Sequence, residues 1–324
     1  MRKILALTLC LIMALSCIPA MAEEAAAVNT GLSIATSMSA AKNGGVQVTI
    51  NFTAVTVDEA GVIDACVIDS LQATVGVDAA GQLTTDPATL FQSKNELGDA
   101  YGMRKASSIG AEWNEQAAAF AAYCVGKTID EVKAMPVTES GAPADADLAA
   151  GCTMGAYNFL PGVEAAVANA QPAGAKKGDA LKLAHVTSAS GSKSATADAA
   201  GKTQVYATIS AITLNGDVIT SCVIDAVQAS AAFDATGAIT SDLTAPVQTK
   251  NQIGDGYGMR KASAIGKEWF EQAAGFAAFI TGKTLTEASG IAVNEGGYPT
   301  DADLMATTTM GIGDFLGLIQ KIAQ

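Results

Sequence analysis

Asp147-Leu148-Ala149-Ala150-Gly151-Cys152-Thr153 puts a carboxylate, a glycine and a hydroxyl within two helical turns. At the start of a helix such residues suit a phosphate, because first-turn N–H groups are free and carry partial positive charge. The same types also suit an N-cap acid that opens a helix of small residues packed on a sheet. A second set is Tyr101-Gly102-Met103-Arg104-Lys105. Arg104 and Lys105 make a basic spot in an acidic chain, and a guanidinium grips phosphate or carboxylate through two hydrogen bonds. The competing reading is an ion pair from Arg104 to an acid such as Asp69 or Asp99 that fixes a loop. Trp113 either stacks on a planar ligand or fills the core from the inner stripe of a helix.

Both sets recur at a constant offset of 156, as from Trp113 to Trp269 and from Cys66 to Cys222. The offset holds without a gap from Val62 to Leu160, and more than half of the pairs are identical. A period this long is a duplicated domain rather than a solenoid repeat. Arg260 matches Arg104, Asp303 matches Asp147 and Thr309 matches Thr153, whereas Gly151 and Cys152 become Thr307 and Thr308. Cys124 and Cys152 occur only in the first copy, where Ile280 and Thr308 stand opposite in the second. Their paired appearance in an exported chain points to a Cys124–Cys152 disulfide. Cys66 and Cys222, one per copy, read as buried mid-strand residues, with a bond between the copies as the alternative. The paired acids Asp64 with Asp69 and Asp145 with Asp147 read as solvated or capping groups.

The elements that position these residues follow from pattern. Val46–Val57 is β-branched with period-two stretches and reads as a strand; Asp58-Glu59-Ala60-Gly61 is a hairpin loop and Val62–Gln72 the return strand. In the second copy Gln204–Leu214 and Val218–Gln228 flank an Asn215-Gly216 turn. A helix is expected from Ser108, with Ile109, Trp113, Ala117, Phe120 and Cys124 on one face and Gly126 ending it. Thr128 with Glu131, and Thr284 with Glu287, are capping boxes. Final helices are expected over 149–169 and 305–322, each capped by one acid of Asp145/Asp147 or Asp301/Asp303. Residues 188–202 read as a flexible loop. The fold class is therefore α+β, as two tandem copies, each a curved antiparallel sheet covered by C-terminal helices. The boundaries are a signal at 1–22, a first repeat at 23–170, a linker at 171–180 and a second repeat at 181–324. A mature chain of about 300 residues suffices for two domains with their own cores.

Arg2 and Lys3, the apolar run Ile4–Leu15 and Ala20-Met21-Ala22 make a secretory signal cleaved after Ala22, with a lipid anchor at Cys17 as the alternative. The localisation expected is secreted or cell-surface, with no transmembrane segment after cleavage. Without the signal, 17 bases face 32 acids, net −15, which argues against nucleic acid or anionic lipid as partner. His185 is the sole histidine, so a histidine triad in each copy and a multi-His zinc site are excluded.

The layout resembles the FMN-binding domain family of secreted and membrane-anchored bacterial redox proteins. The motif there is Asp, two variable residues, Ser or Thr, Gly, Ala, Thr, and its last Thr is esterified by the flavin phosphate. Here Asp147, Gly151 and Thr153 match, while Ala150 and Cys152 depart; the second copy matches at Asp303 and Thr309. The D-x-YGM and IG-x-EW pattern also looks like a group of secreted proteins of Gram-positive bacteria. The resemblance implies FMN held at Thr153, with Asp147 and Gly151 shaping the turn and Arg104 and Lys105 as phosphate contacts. It also implies a flavin transferase and a redox partner at the cell surface, and electron transfer rather than stand-alone catalysis. The alternative is a non-enzymatic exported binding or cell-surface protein on the same fold without flavin.

Overall fold

A computed structural model describes residues 25–324. The expected signal, its cleavage point after Ala22 and Cys17 lie outside the described residues.

Strands β1 (Ala27–Ala40), β2 (Val46–Val57) and β3 (Ile63–Val75) form an antiparallel meander. The Asn43-Gly44-Gly45 turn needs glycine at Gly45: its φ is +88°, and a Cβ there would sit 2.1 Å from the Val75 carbonyl oxygen. Then come α1 (Lys94–Leu97), α2 (Trp113–Cys124), α3 (Ile129–Lys133), α4 (Ala146–Gly151) and α5 (Leu160–Ala168). After α5 follow β4 (Gln171–Lys176), β5 (Ala180–Ser188), β6 (Gly201–Asn215) and β7 (Val218–Phe233). The chain continues through α6 (Lys250–Ile253), α7 (Trp269–Ile280), α8 (Leu285–Ser289), α9 (Ala302–Met305) and α10 (Gly313–Ile322). One sheet has the order β3-β2-β1-β4 and the other β5-β6-β7.

Alternation decides the layers. Val46, Val48, Ile50 and Phe52 on β2, with Leu71, Ala73 and Val75 on β3, face one way. They meet Val205, Ala207, Ile209 and Ala211 of β6 and Val227, Ala229 and Ala231 of β7 in one continuous core. The opposite face of the first sheet lies under α2 and α5, through Val55, Phe120, Phe159 and Val163. That of the second lies under α7 and α10, through Ile224, Phe276, Phe315 and Ile319. The order is helix, sheet, sheet, helix, and the class is α+β. Separate cores were expected; instead the two halves share their middle one.

The halves also exchange straps. The Phe91 N–H donates to the Thr187 carbonyl at 3.0 Å and Leu90 bridges Ser188, both on β5, while Val247 bridges Thr36 on β1. The stretch expected as a ten-residue linker is largely strand: β4 pairs with β1, Thr30 opposite Gln171 and Asn29 opposite Pro172. Pro172 is tolerated because β4 is an edge strand. The loop between β5 and β6, expected to be flexible, is packed. Ala189, Ser192 and Ala195 are buried, the Ser192 hydroxyl brackets the Gln204 backbone, and the Ala195 N–H donates to the Gly81 carbonyl.

Two helix expectations are corrected. The main helix starts at Trp113, not Ser108, because Gly110 turns at φ +64° and Glu112 is the extended N-cap. Ile109 therefore lies outside the stripe and is 37% exposed. Each final helix is broken. Asp145 and Asp301 cap the short α4 and α9 by accepting two N–H groups each. The chain is extended at Cys152 and restarts as α5, helped by Pro161 in the first turn.

Candidate functional site

Asp147 and Gly151 lie inside the six-residue α4, and Thr153 follows its C-terminal end. Helix carbonyls point that way, so the local dipole repels phosphate. The polar groups of Thr153 already have a partner. Its N–H (3.0 Å), its hydroxyl (3.3 Å) and the Met154 N–H (3.2 Å) all donate to Oε1 of Gln116. The Gln116 Nε2 donates in turn to the Ser107 hydroxyl and the Ala111 carbonyl. Gln116 is 1% exposed, so one amide stitches the loop before α2 to the loop after α4. Gln272 repeats the stitch, between Thr309 on one side and Ser263 and Lys267 on the other.

Arg104 is likewise occupied. Its guanidinium holds Asp99 at 2.6 Å, Glu115 at 3.1 Å and the Gly110 carbonyl at 2.8 Å. Its own N–H and that of Met103 donate to the buried Glu112 carboxylate. Arg260 is bound in the same way by Asp255, Glu271 and the Gly266 carbonyl, with Glu268 beneath. Lys105, Asp147 and Asp303 are exposed. Trp113 and Trp269 are buried, edge-on to Phe159 and Phe315. Thr153, Thr309, Arg104 and Arg260 are thus gathered around two buried glutamines and two buried glutamates, with their donors engaged. It does not fit a flavin phosphate at Thr153.

The glutamines and glutamates were missed as organisers. The signal for them is in the sequence: E-W-x-E-Q-A-A places Glu and Gln on the apolar stripe in both copies. The cysteine pairing also differs. All four described cysteines are free, so the expected Cys124–Cys152 bond is absent, and Cys66 packs against the same cluster as both.

Lys250 is 5% exposed, an uncommon place for a cation. Its Nζ lies 4.5 to 4.8 Å from the ring centres of Tyr206, Trp269 and Tyr257 and donates to the Tyr206 hydroxyl at 3.0 Å. Burial pushes its pKa down to about 8, against the pull of Asp314 and Asp225. Lys94, its counterpart, has only Tyr101 and Trp113 over it and is half-buried.

The two seams between the halves differ more. At one, Glu96 accepts from His185 at 3.1 Å and from Lys321 at 2.5 Å, and His185 also meets the Thr187 hydroxyl. Burial works against the Glu96 charge, but the bonds from His185 and Lys321 outweigh it and hold the pKa at about 2. A lowered carboxyl adds stability that is complete above its ordinary 4.5 and is lost as pH falls toward 2. Glu96→Gln is therefore expected to lower the melting temperature at neutral pH and to flatten its fall between those two values. An unchanged acid slope would show that the triad does not hold this seam.

At the other seam the triad has no counterpart. Gln252 is 156 residues beyond Glu96, and Ile34 takes the ladder place of His185. The register shows this: Ile34 pairs across to Phe52 and Asp69, and His185 to Ile209 and Asp225. This seam holds a cleft of 440 Å³ walled by Ile34 and Gln171 on one side and Asp225, Gln252 and Phe270 from the second half. Asn169 and Asn251 spend one amide bond each on the Leu32 and Ile224 carbonyls and present the rest to the cleft. Burial raises the Asp225 pKa, against hydrogen bonds from Thr249, Asn251 and Ala226. The equivalent first-half cleft, 390 Å³, is lined by Cys66, Ile68, Asn95, Asn114 and Val125.

Among the described residues no group of three His, Cys, Asp or Glu is placed to hold a metal, and no helix is long and apolar enough to cross a membrane. No protein-family model, curated protein or solved structure matches the chain.

Proposed function

We propose that the chain is an exported, non-catalytic binding protein made of two copies of one domain, each a curved antiparallel sheet covered by helices. Its ligand sits in the cleft at the open seam. The observation that carries this reading is that cleft. Its 440 Å³ is in the range of small-molecule sites, and its lining mixes apolar side chains such as Ile34 and Phe270 with the amides of Asn169, Gln171, Asn251 and Gln252. The ligand chemistry that suits it is neutral, with apolar surface and both hydrogen-bond donors and acceptors, such as a saccharide or a short peptide. The internal engagement of Thr153 and Arg104 supports this alternative over an electron-transfer module with flavin at Thr153.

A ligand-detected NMR screen of neutral saccharides and short peptides against the mature protein tests it. Hits are expected, and filling the cleft with Ala274→Trp is expected to abolish them while leaving the melting temperature within a few degrees. An empty screen, or hits that survive Ala274→Trp, would remove the cleft as the site. A flavin adduct on the Thr153 peptide of protein exported by its native host would instead support the redox reading.

A further inference from the structure

We infer that Cys66 and Cys124 form a redox-responsive pair, closed to a disulfide by exchange with a small oxidised thiol of the glutathione type. Cys66 lies on the edge strand β3, and Cys124 is the last residue of α2. The end of α2 is clamped to the start of that strand by two bonds. The Gly126 N–H donates to the Ile63 carbonyl at 2.8 Å, and the Ile63 N–H donates to the Lys127 carbonyl at 2.9 Å. The clamp sets both side chains in the one core between β3 and α2, where Cys66 packs against the cluster that holds Cys124, and both thiols are free.

Their exposures differ in the useful sense. Cys66 is half-buried and lines the 390 Å³ cleft, the side from which a small reagent would approach, whereas Cys124 is fully buried. The second half lacks the arrangement: Cys222 is buried and Ile280 stands where Cys124 would be.

The exchange balances in two steps. The Cys66 thiolate attacks one sulfur of the oxidised reagent, forming a mixed disulfide and releasing one reduced thiol. Cys124, deprotonated, then attacks the Cys66 sulfur and expels the second. The protein loses two electrons and two protons and the reagent gains both. The bond to Cys124 and burial push the Cys66 thiol well above its ordinary value, so exchange accelerates as pH rises. The closed bond would tie α2 to β3 and fix one wall of the first-half cleft.

The test uses the mature chain, incubated with oxidised glutathione in mildly alkaline buffer, alkylated, digested without reductant and mapped by mass. A peptide pair linked through Cys66 and Cys124, lighter by two hydrogens, is expected as the main product. Cys152→Ser is expected to leave its yield within twofold of wild type, and Cys124→Ser to stop at a stable glutathione adduct on Cys66. A Cys124–Cys152 link, a wild-type adduct that persists on Cys66, or two alkylated thiols would each overturn the pairing.

Discussion

Gln116→Ala is expected to destabilise the protein by about 3 kcal/mol, near the upper range of single substitutions away from an apolar core. The side chain is buried and holds three donors on one oxygen and two acceptors on its nitrogen. Removing it strands the half-buried Thr153 and Met154 N–H groups, and an unpaired buried polar group costs roughly 1–3 kcal/mol. Gln116→Met separates shape from bonding, since methionine fills the volume without an amide. Urea melts should place Met close to Ala. If Met restores wild-type stability, packing and not the stitch is what matters. Gln272→Ala should behave alike, because its partners are the same in kind.

Phe52→Ala is expected to cost about 3–5 kcal/mol, as for other large aromatic truncations, and to do so in both halves at once. Phe52 is 1% exposed, in the core that joins the two sheets, and packs on His185 across it at 5.6 Å between ring centres. The two tryptophans make the second claim measurable, because Trp113 reports on one helix layer and Trp269 on the other. In single-tryptophan variants the two fluorescence melts should coincide and shift together on Phe52→Ala. A shift in the Trp113 melt alone would show that the halves fold independently.

Much of this architecture can be read from local pattern. β2 runs over Val46–Val57 as its β-branched alternation predicts, and the Thr128 and Thr284 capping boxes open helices as expected. What pattern leaves out is long-range. The alternation of β2 marks which residues turn inward, not that the wall opposite belongs to β6. Gln171–Lys176 reads as a linker because Pro and Gly punctuate it, yet a free edge on β1 recruits it as a strand. The break at Cys152–Gly155 is set by Gln116, some forty residues earlier, which no window on the final helix can contain. The candidate site follows the same rule. Arg104 and Thr153 are visible as reactive types, but their partners lie elsewhere in the chain. The open seam depends on a histidine at 185 having isoleucine at 34 as its ladder equivalent.

The shared middle core also sets a clock on biosynthesis. The apolar face of β2 is complete at Val57, while the β7 surface it needs ends at Phe233. At synthesis rates of about 5–20 residues per second, that face waits roughly 10–35 s for its partner. Through that interval the nascent first half is a half-sandwich with bare valine, isoleucine and phenylalanine, the kind of surface that chaperones hold and that neighbouring nascent chains stick to.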